Sequence, residues 1–353
     1  MRYALPSCED WNPADFSMLI PQSLGMKIIS TGLISLVLCA SSFAAGPKIA
    51  IVFDKGGKDD KSFNSSAYAG AMEAKEKLGA TIKYVEAPDA NSFEPMLKDF
   101  AKKEAFDLII AIGVSQSDAL TKVATEFPKQ KFLSVDAEVR APNVETALFQ
   151  EHEGSYLVGA LAALKSKSGV IGFIGGMDIP LIRRFQMGFE AGVKKINPSA
   201  KVIVNYVGVT GDAWHNPAKA KELALAQISE KADVIFHAAG ASGAGLFDAV
   251  EEKDGVFAIG VDSNQNWVKP GRVLTSMLKR VDHAVFECIA DQIKGKFGAG
   301  IRRFGLKDGG IDYAMDSNNA SLVTSAMKTK VDELKAEIIA GKIKVPDFYE
   351  KKK

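Results

Sequence analysis

Four charged residues stand directly behind short apolar, β-branched runs: Asp54 behind 48–53 (KIAIVF), Asp136 behind 131–135 (KFLSV), Asp262 behind 256–261 (VFAIGV) and Lys279 behind 273–278 (VLTSML). An ionised carboxylate only accepts hydrogen bonds and can take two at once, which suits a ligand with vicinal hydroxyls, such as a sugar or ribose. Aspartates in such places equally cap the next helix or stiffen a turn. Phe63 and Asn64, in DDKSFN, open one helical stretch, and Trp214, in GDAWHNP, precedes another. Two aromatics closing on one flat ring would stack on it while Asn64 offers a donor and an acceptor to its edge. A hydrophobic staple at each helix start would use the same positions. Glycine stretches GFIGGMD (172–178) and HAAGASGAG (237–245), the latter with Gly240, run from a strand into a loop. There the missing side chains let backbone N–H groups approach a ligand, or simply allow tight packing. Neither stretch has a Lys or Ser/Thr in P-loop register, which argues against phosphate.

The elements that must position these residues follow a βα rhythm. A first series of strand-like runs covers 48–53, 81–85, 107–112, 131–135 and 145–149, and a second covers 169–174, 201–207, 233–236, 256–261 and 273–278. Amphipathic stretches fill the gaps, one of them starting at Pro217 with Asn216 as its N-cap. Such alternation predicts two doubly wound parallel sheets covered by helices, and 353 residues suffice for two domains of ordinary size. The first turn, FDKGGKDDKSFN, lacks the GxGxxG of a dinucleotide site, and neither a Walker A run nor a GxSxG elbow occurs. A net charge of +1 with mixed signs argues against nucleic acid as partner. Three cysteines and four scattered histidines offer no metal-ligand spacing. The acidic FDKGGKDD is similar to a calcium-binding carboxylate cluster, which raises a nucleoside hydrolase as the enzymatic rival. Its irregular spacing, and the helix-cap positions of Asp59 and Asp60, favour a structural role instead.

At the N-terminus, residues 1–25 read as an upstream extension and 26–44 as a signal peptide, with cleavage after Ala44. Leu38 before Cys39 makes a poor lipidation site, so an exported protein without a lipid anchor is expected. Cys288 would then be the lone cysteine of the mature chain, expected to be a buried small side chain.

Taken together, DKSFN (60–64), EHEGSYLVGALAA (151–163), GFIGGMD, FQMGFEAG (185–192), GVDSNQ (260–265) and GKIKVP (341–346) resemble the basic membrane protein family of ABC-transporter substrate-binding proteins, typified by purine nucleoside receptors. The resemblance implies a type I periplasmic binding protein, α/β, with two lobes joined by a three-crossing hinge near Gln150, Asp262 and Gly310. One lobe would hold 47–150 with 264–310, the other 151–263 with 311–345. By the same resemblance Phe63 stacks on a base, Asn64 and Asp136 bond its edge, Asp262 and Lys279 hold the ribose, and Asp54 and Gly240 line the cleft. Trp214 stands where the family has a second stacking phenylalanine. No catalysis, cofactor or metal is implied; the partners would be a purine nucleoside and a membrane permease, and the protein a monomer. A sugar or autoinducer receptor of the same fold is the alternative, distinguishable because a pyranose needs aromatic faces without an edge-reading Asn and Asp pair. A repressor's sensing core would need a helix-turn-helix before residue 47, and none is present.

Overall fold

The computed structural model describes residues 46–350; the expected leader, the upstream stretch, Cys8 and Cys39 lie outside the described residues. In chain order the first half holds β1 (Lys48–Phe53), α1 (Phe63–Leu78), β2 (Thr81–Glu86), α2 (Phe93–Lys102), β3 (Leu108–Ile112), α3 (Ser117–Glu126), β4 (Phe132–Val135) and β5 (Val144–Phe149). Next come α4 (Glu151–Lys165), β6 (Val170–Met177), α5 (Pro180–Ile196), β7 (Lys201–Gly208), α6 (Pro217–Ser229), β8 (Val234–Ala238), α7 (Ala244–Glu251), β9 (Phe257–Asp262) and β10 (Val273–Lys279). The chain finishes with α8 (Val281–Ile293), β11 (Gly300–Phe304), β12 (Ile311–Tyr313) and α9 (Ser325–Ile339).

Strands buried on both faces read as continuous apolar runs, which is why β1, β3, β4, β8 and β9 are legible without alternation. They assemble into two six-stranded sheets, ordered β11-β5-β4-β3-β1-β2 and β12-β10-β9-β8-β6-β7. Every pairing is parallel except that of β12 with β10. In each sheet the order reverses beside the first strand, between β1 and β3 and between β6 and β8, and at such a switch point a crevice opens at the strands' carboxyl ends. As expected, Asn216 caps α6, its side chain accepting from Lys219 N at 3.0 Å.

One expectation is corrected. The division that gave 264–310 to the first lobe fails at β10, which pairs with β9 in the second sheet, Met277 opposite Val261. The chain leaves that sheet at Lys279–Arg280 and not near Asp262. The βα series sets 273–278 with the second group, as the structure does; the crossing implied by the resemblance near Asp262 comes one strand too early. Thus the chain passes between sheets at Gln150, at Arg280, and between Phe304 and Ile311. These passages bond one another: Gln150 N donates to Phe304 O at 2.8 Å, and Arg280 N to Gly310 O at 2.9 Å.

Helices α4 and α5 pack face to face between these passages. Gly188 and Gly192 lie against the backbone of His152 and Tyr156, where an added Cβ would collide with carbonyl oxygens. Cys288 is buried as expected, yet it donates to Glu145 Oε1 at 3.3 Å rather than resting among apolar groups alone.

Candidate functional site

All eight candidate residues line one cavity between the two sheets: Asp54, Phe63, Asn64, Asp136, Trp214, Gly240, Asp262 and Lys279. Their convergence follows from topology, because each sits at or just beyond the carboxyl end of a parallel strand or in the helix turn that follows it.

The start of α1 is built by Asp60, whose carboxylate accepts from the backbone N–H of Ser62 (2.8 Å), Asn64 (2.9 Å) and Ser65 (2.9 Å). The cap expected there is therefore present at Asp60, while Asp59 pairs with Lys58. This cap fixes Phe63 and Asn64 at the cavity wall. Asn64 donates from Nδ2 to Asp54 O at 3.4 Å, a long bond, and its Oδ1 is buried without a partner. Asp54 itself is buried, and that burial pushes its carboxyl up to about 6.

Asp136 and Asp262 occupy matching places at the ends of β4 and β9, and both adopt left-handed backbone, φ 70° and 63°. Non-glycine residues seldom hold this conformation, and here it turns a carboxylate into the crevice from each sheet. Asp136 Oδ2 meets Lys279 Nζ at 2.5 Å, while Oδ1 is buried and unpartnered. Asp262 Oδ2 accepts from Ser62 Oγ at 2.5 Å; burial, only partly offset by Lys279 and Ser62, pushes it up to about 7.

Lys279 is 1 % exposed and also meets Glu151 Oε1 at 3.1 Å. Burial works against its charge, but the fields of Asp136, Glu151 and Asp262 prevail and hold it above the ordinary lysine range. Its ammonium lies 5.1 Å from the Phe63 ring centre and 5.7 Å from that of Phe185. Trp214 faces them from the second sheet's side, its ring laid against Gly176, with Gly240 beside its carbonyl.

Sequence reasoning missed Lys55, Leu181, Ile182 and Phe185, which line the same cavity. Leu181, Ile182 and Phe185 share one face of the first turns of α5, at i, i+1 and i+4, and that helix follows the GFIGGMD strand. Reading the helix start as well as the strand end would have found them. Lys55 pairs with Asp212 across the cavity mouth, and Ser263 Oγ and Gln265 Nε2 donate to the carbonyls of Ser62 (2.8 Å) and Lys61 (2.9 Å). Together these contacts hold the two lobes closed. Among the described residues no group of three His, Cys, Asp or Glu is placed to hold a metal ion.

Residues 48–348 match the family model described as Bmp, ABC transporter substrate-binding protein PnrA-like. An ABC transporter nucleoside-binding protein BmpA of Lactococcus lactis subsp. cremoris is 36% identical over 322 residues, 85% of this chain and 89% of that protein. An uncharacterized lipoprotein of Pyrococcus abyssi is 32% identical over 316 residues, 83% of this chain and 77% of its own length. Among solved structures, an ABC-transporter solute-binding protein from Aeropyrum pernix superposes with a TM-score of 0.78 at 30% identity, covering 85% of this chain and 94% of the other. Two parallel sheets closing on a cavity lined from both sides give the chain a type I periplasmic-binding-protein fold, with no catalytic role in its family. The chain belongs to the PnrA-like Bmp family of ABC-transporter substrate-binding proteins, which act outside the cytoplasm on a small-molecule ligand.

Proposed function

We propose that the cavity captures a purine nucleoside, which lobe closure encloses and a membrane permease then receives unchanged. The observation that carries this reading is the pair of buried acceptors without partners, Asn64 Oδ1 and Asp136 Oδ1, in a cavity walled by Phe63, Phe185 and Trp214. Buried polar atoms are rarely left unpaired, and two acceptors between aromatic faces fit the N–H edge of a stacked base. Asp262 and Lys279 would take the ribose hydroxyls, with Asp54 and Gly240 completing the wall. The nucleoside-binding relative supports the same class of ligand.

Calorimetric titration of refolded, ligand-stripped protein with adenosine, guanosine, inosine, cytidine and ribose tests this. Purine nucleosides are expected to bind far more tightly than ribose or cytidine, and no free base should form with inosine. Tight binding of ribose alone would replace the nucleoside with a sugar, and release of base would restore the hydrolase. In the cell the protein is taken to act as a monomer, released into the periplasm once residues up to 44 are removed. The lipoprotein among its relatives favours an anchor instead, and the mass of the mature N-terminus decides between them.

A further inference from the structure

Behind the cavity, alternating charges run from the C-terminal tail to the carboxylate that faces the ligand space. Asp347, on the tail beyond α9, takes two hydrogen bonds from Arg184 of α5, both at 2.8 Å. The same guanidinium meets Glu151 Oε2 at 2.7 Å and donates to the carbonyl of Phe149, the last residue of β5. Its Nη2 also lies 3.1 Å from His152 Nδ1. Glu151, first residue of α4, turns Oε1 to Lys279, and Lys279 pairs with Asp136. The order is thus Asp347, Arg184, Glu151, Lys279, Asp136, negative and positive in turn. Tyr349 lies over Arg184 at 4.9 Å, and the tail closes one wall of a second hollow that reaches Asp136 from the hinge side.

A charge buried in such a series depends on its neighbours, because removing one partner leaves the next uncompensated. Anchoring a tail would need only a surface contact, whereas this guanidinium is also shared with the Gln150 passage between the sheets. We propose that Asp347 and Arg184 are positioning residues for the Asp136–Lys279 pair, so that docking of the C-terminal tail sets the charge and placement of the ligand-facing carboxylate. The ligand-facing role of Asp136 is taken from the proposed function. The charged and titratable groups that face Asp136 are Lys279 on β10, Glu151 on α4, Arg184 on α5, Asp54 and Asp262 at their strand ends, and Tyr349 on the tail.

The test is a carboxyl ¹³C NMR titration of the ligand-free protein, with the Asp136 signal assigned by its loss in Asp136→Asn. Deleting an anion and deleting a cation must shift the midpoint in opposite directions. Asp347→Asn is expected to lower it and Arg184→Gln to raise it, each by about half a pH unit or more, with Asp347→Glu restoring it. Loosened packing would instead admit water and lower both midpoints; that outcome, or no shift in either variant, overturns the proposal. In parallel, inosine affinity near neutral pH should fall about tenfold in Asp347→Asn, through displacement of the carboxylate rather than its charge, and recover in Asp347→Glu, the size of one hydrogen bond to a charged group. Equal affinity in all three would count against it. A wild type that ignores inosine removes the nucleoside reading and leaves the NMR arm to decide the relay.

Discussion

Asp262 accepts a hydrogen bond from Ser62 and faces the field of Lys279, yet burial outweighs both and its carboxyl is pushed up to about 7. The folded protein therefore keeps a proton that the unfolded chain releases near the ordinary aspartate value of about 4. Stability from this group is complete below that value and is lost as pH rises through about 7. Asp54, pushed up to about 6, acts in the same direction. Urea midpoints of the ligand-free protein should fall between about pH 4.5 and about pH 7.5, and fall less in Asp262→Asn; a wild-type midpoint that stays level would contradict the burial argument. Hydroxyls donated to Asp262 favour its ionised form. Nucleoside binding near pH 6.5 should accordingly release a proton, seen as a calorimetric heat that varies with the ionisation enthalpy of the buffer. Trp214→Ala should weaken binding by about 1–3 kcal/mol if its ring is a stacking face. Unchanged affinity would remove it from the site. At this scale the strand-end residues were legible because a parallel sheet delivers its carboxyl ends to one crevice. Glu151 and Arg184 were not, since their partners Lys279 and Asp347 lie far away in sequence and only the fold joins them.

Among the elements, α4 and α5 carry the relay's middle members, and their close approach depends on glycines. Gly188→Ala would drive a methyl group into the His152 backbone, which cannot yield as a flexible side-chain end would. A loss of about 1–3 kcal/mol of unfolding free energy is expected, measured by urea titration, with ligand affinity disturbed through Glu151 and Arg184 as well. Stability equal to wild type would show that the helices can slide apart at no cost. Periodicity located most strands and helices, because fully buried strands and amphipathic helices differ plainly in pattern. It also grouped 273–278 with the second series, as the structure does; the crossing that the resemblance implied near Asp262 was what put β10 in the wrong lobe. The ten-residue link from Asp262 to Val273 contains no helix, and nothing in its composition distinguishes a return alongside β9 from a passage to the other lobe.

In the whole molecule, closure is held at the mouth by Lys55 and Asp212 and at the rear by Lys279 with Asp136. The two are unequal: the first pair is largely exposed and screened by salt, the second is buried. Lys55→Ala should therefore speed nucleoside release only a few-fold in stopped-flow measurements, and high salt should have the same effect on the wild type. A large loss of affinity would mean that the mouth pair, rather than the buried one, governs closure. The order of residue types along the chain was enough to establish two parallel α/β units, the strand ends that meet, and the family to which they belong. Each of these depends on local periodicity or on motifs that survive in one dimension. Where the chain crosses between lobes after β10, which acceptors remain unpaired, and how the tail connects to Asp136 were decided by packing alone. Those properties arise between side chains separated by many elements, whose distance, burial and mutual charge exist only after the chain has folded.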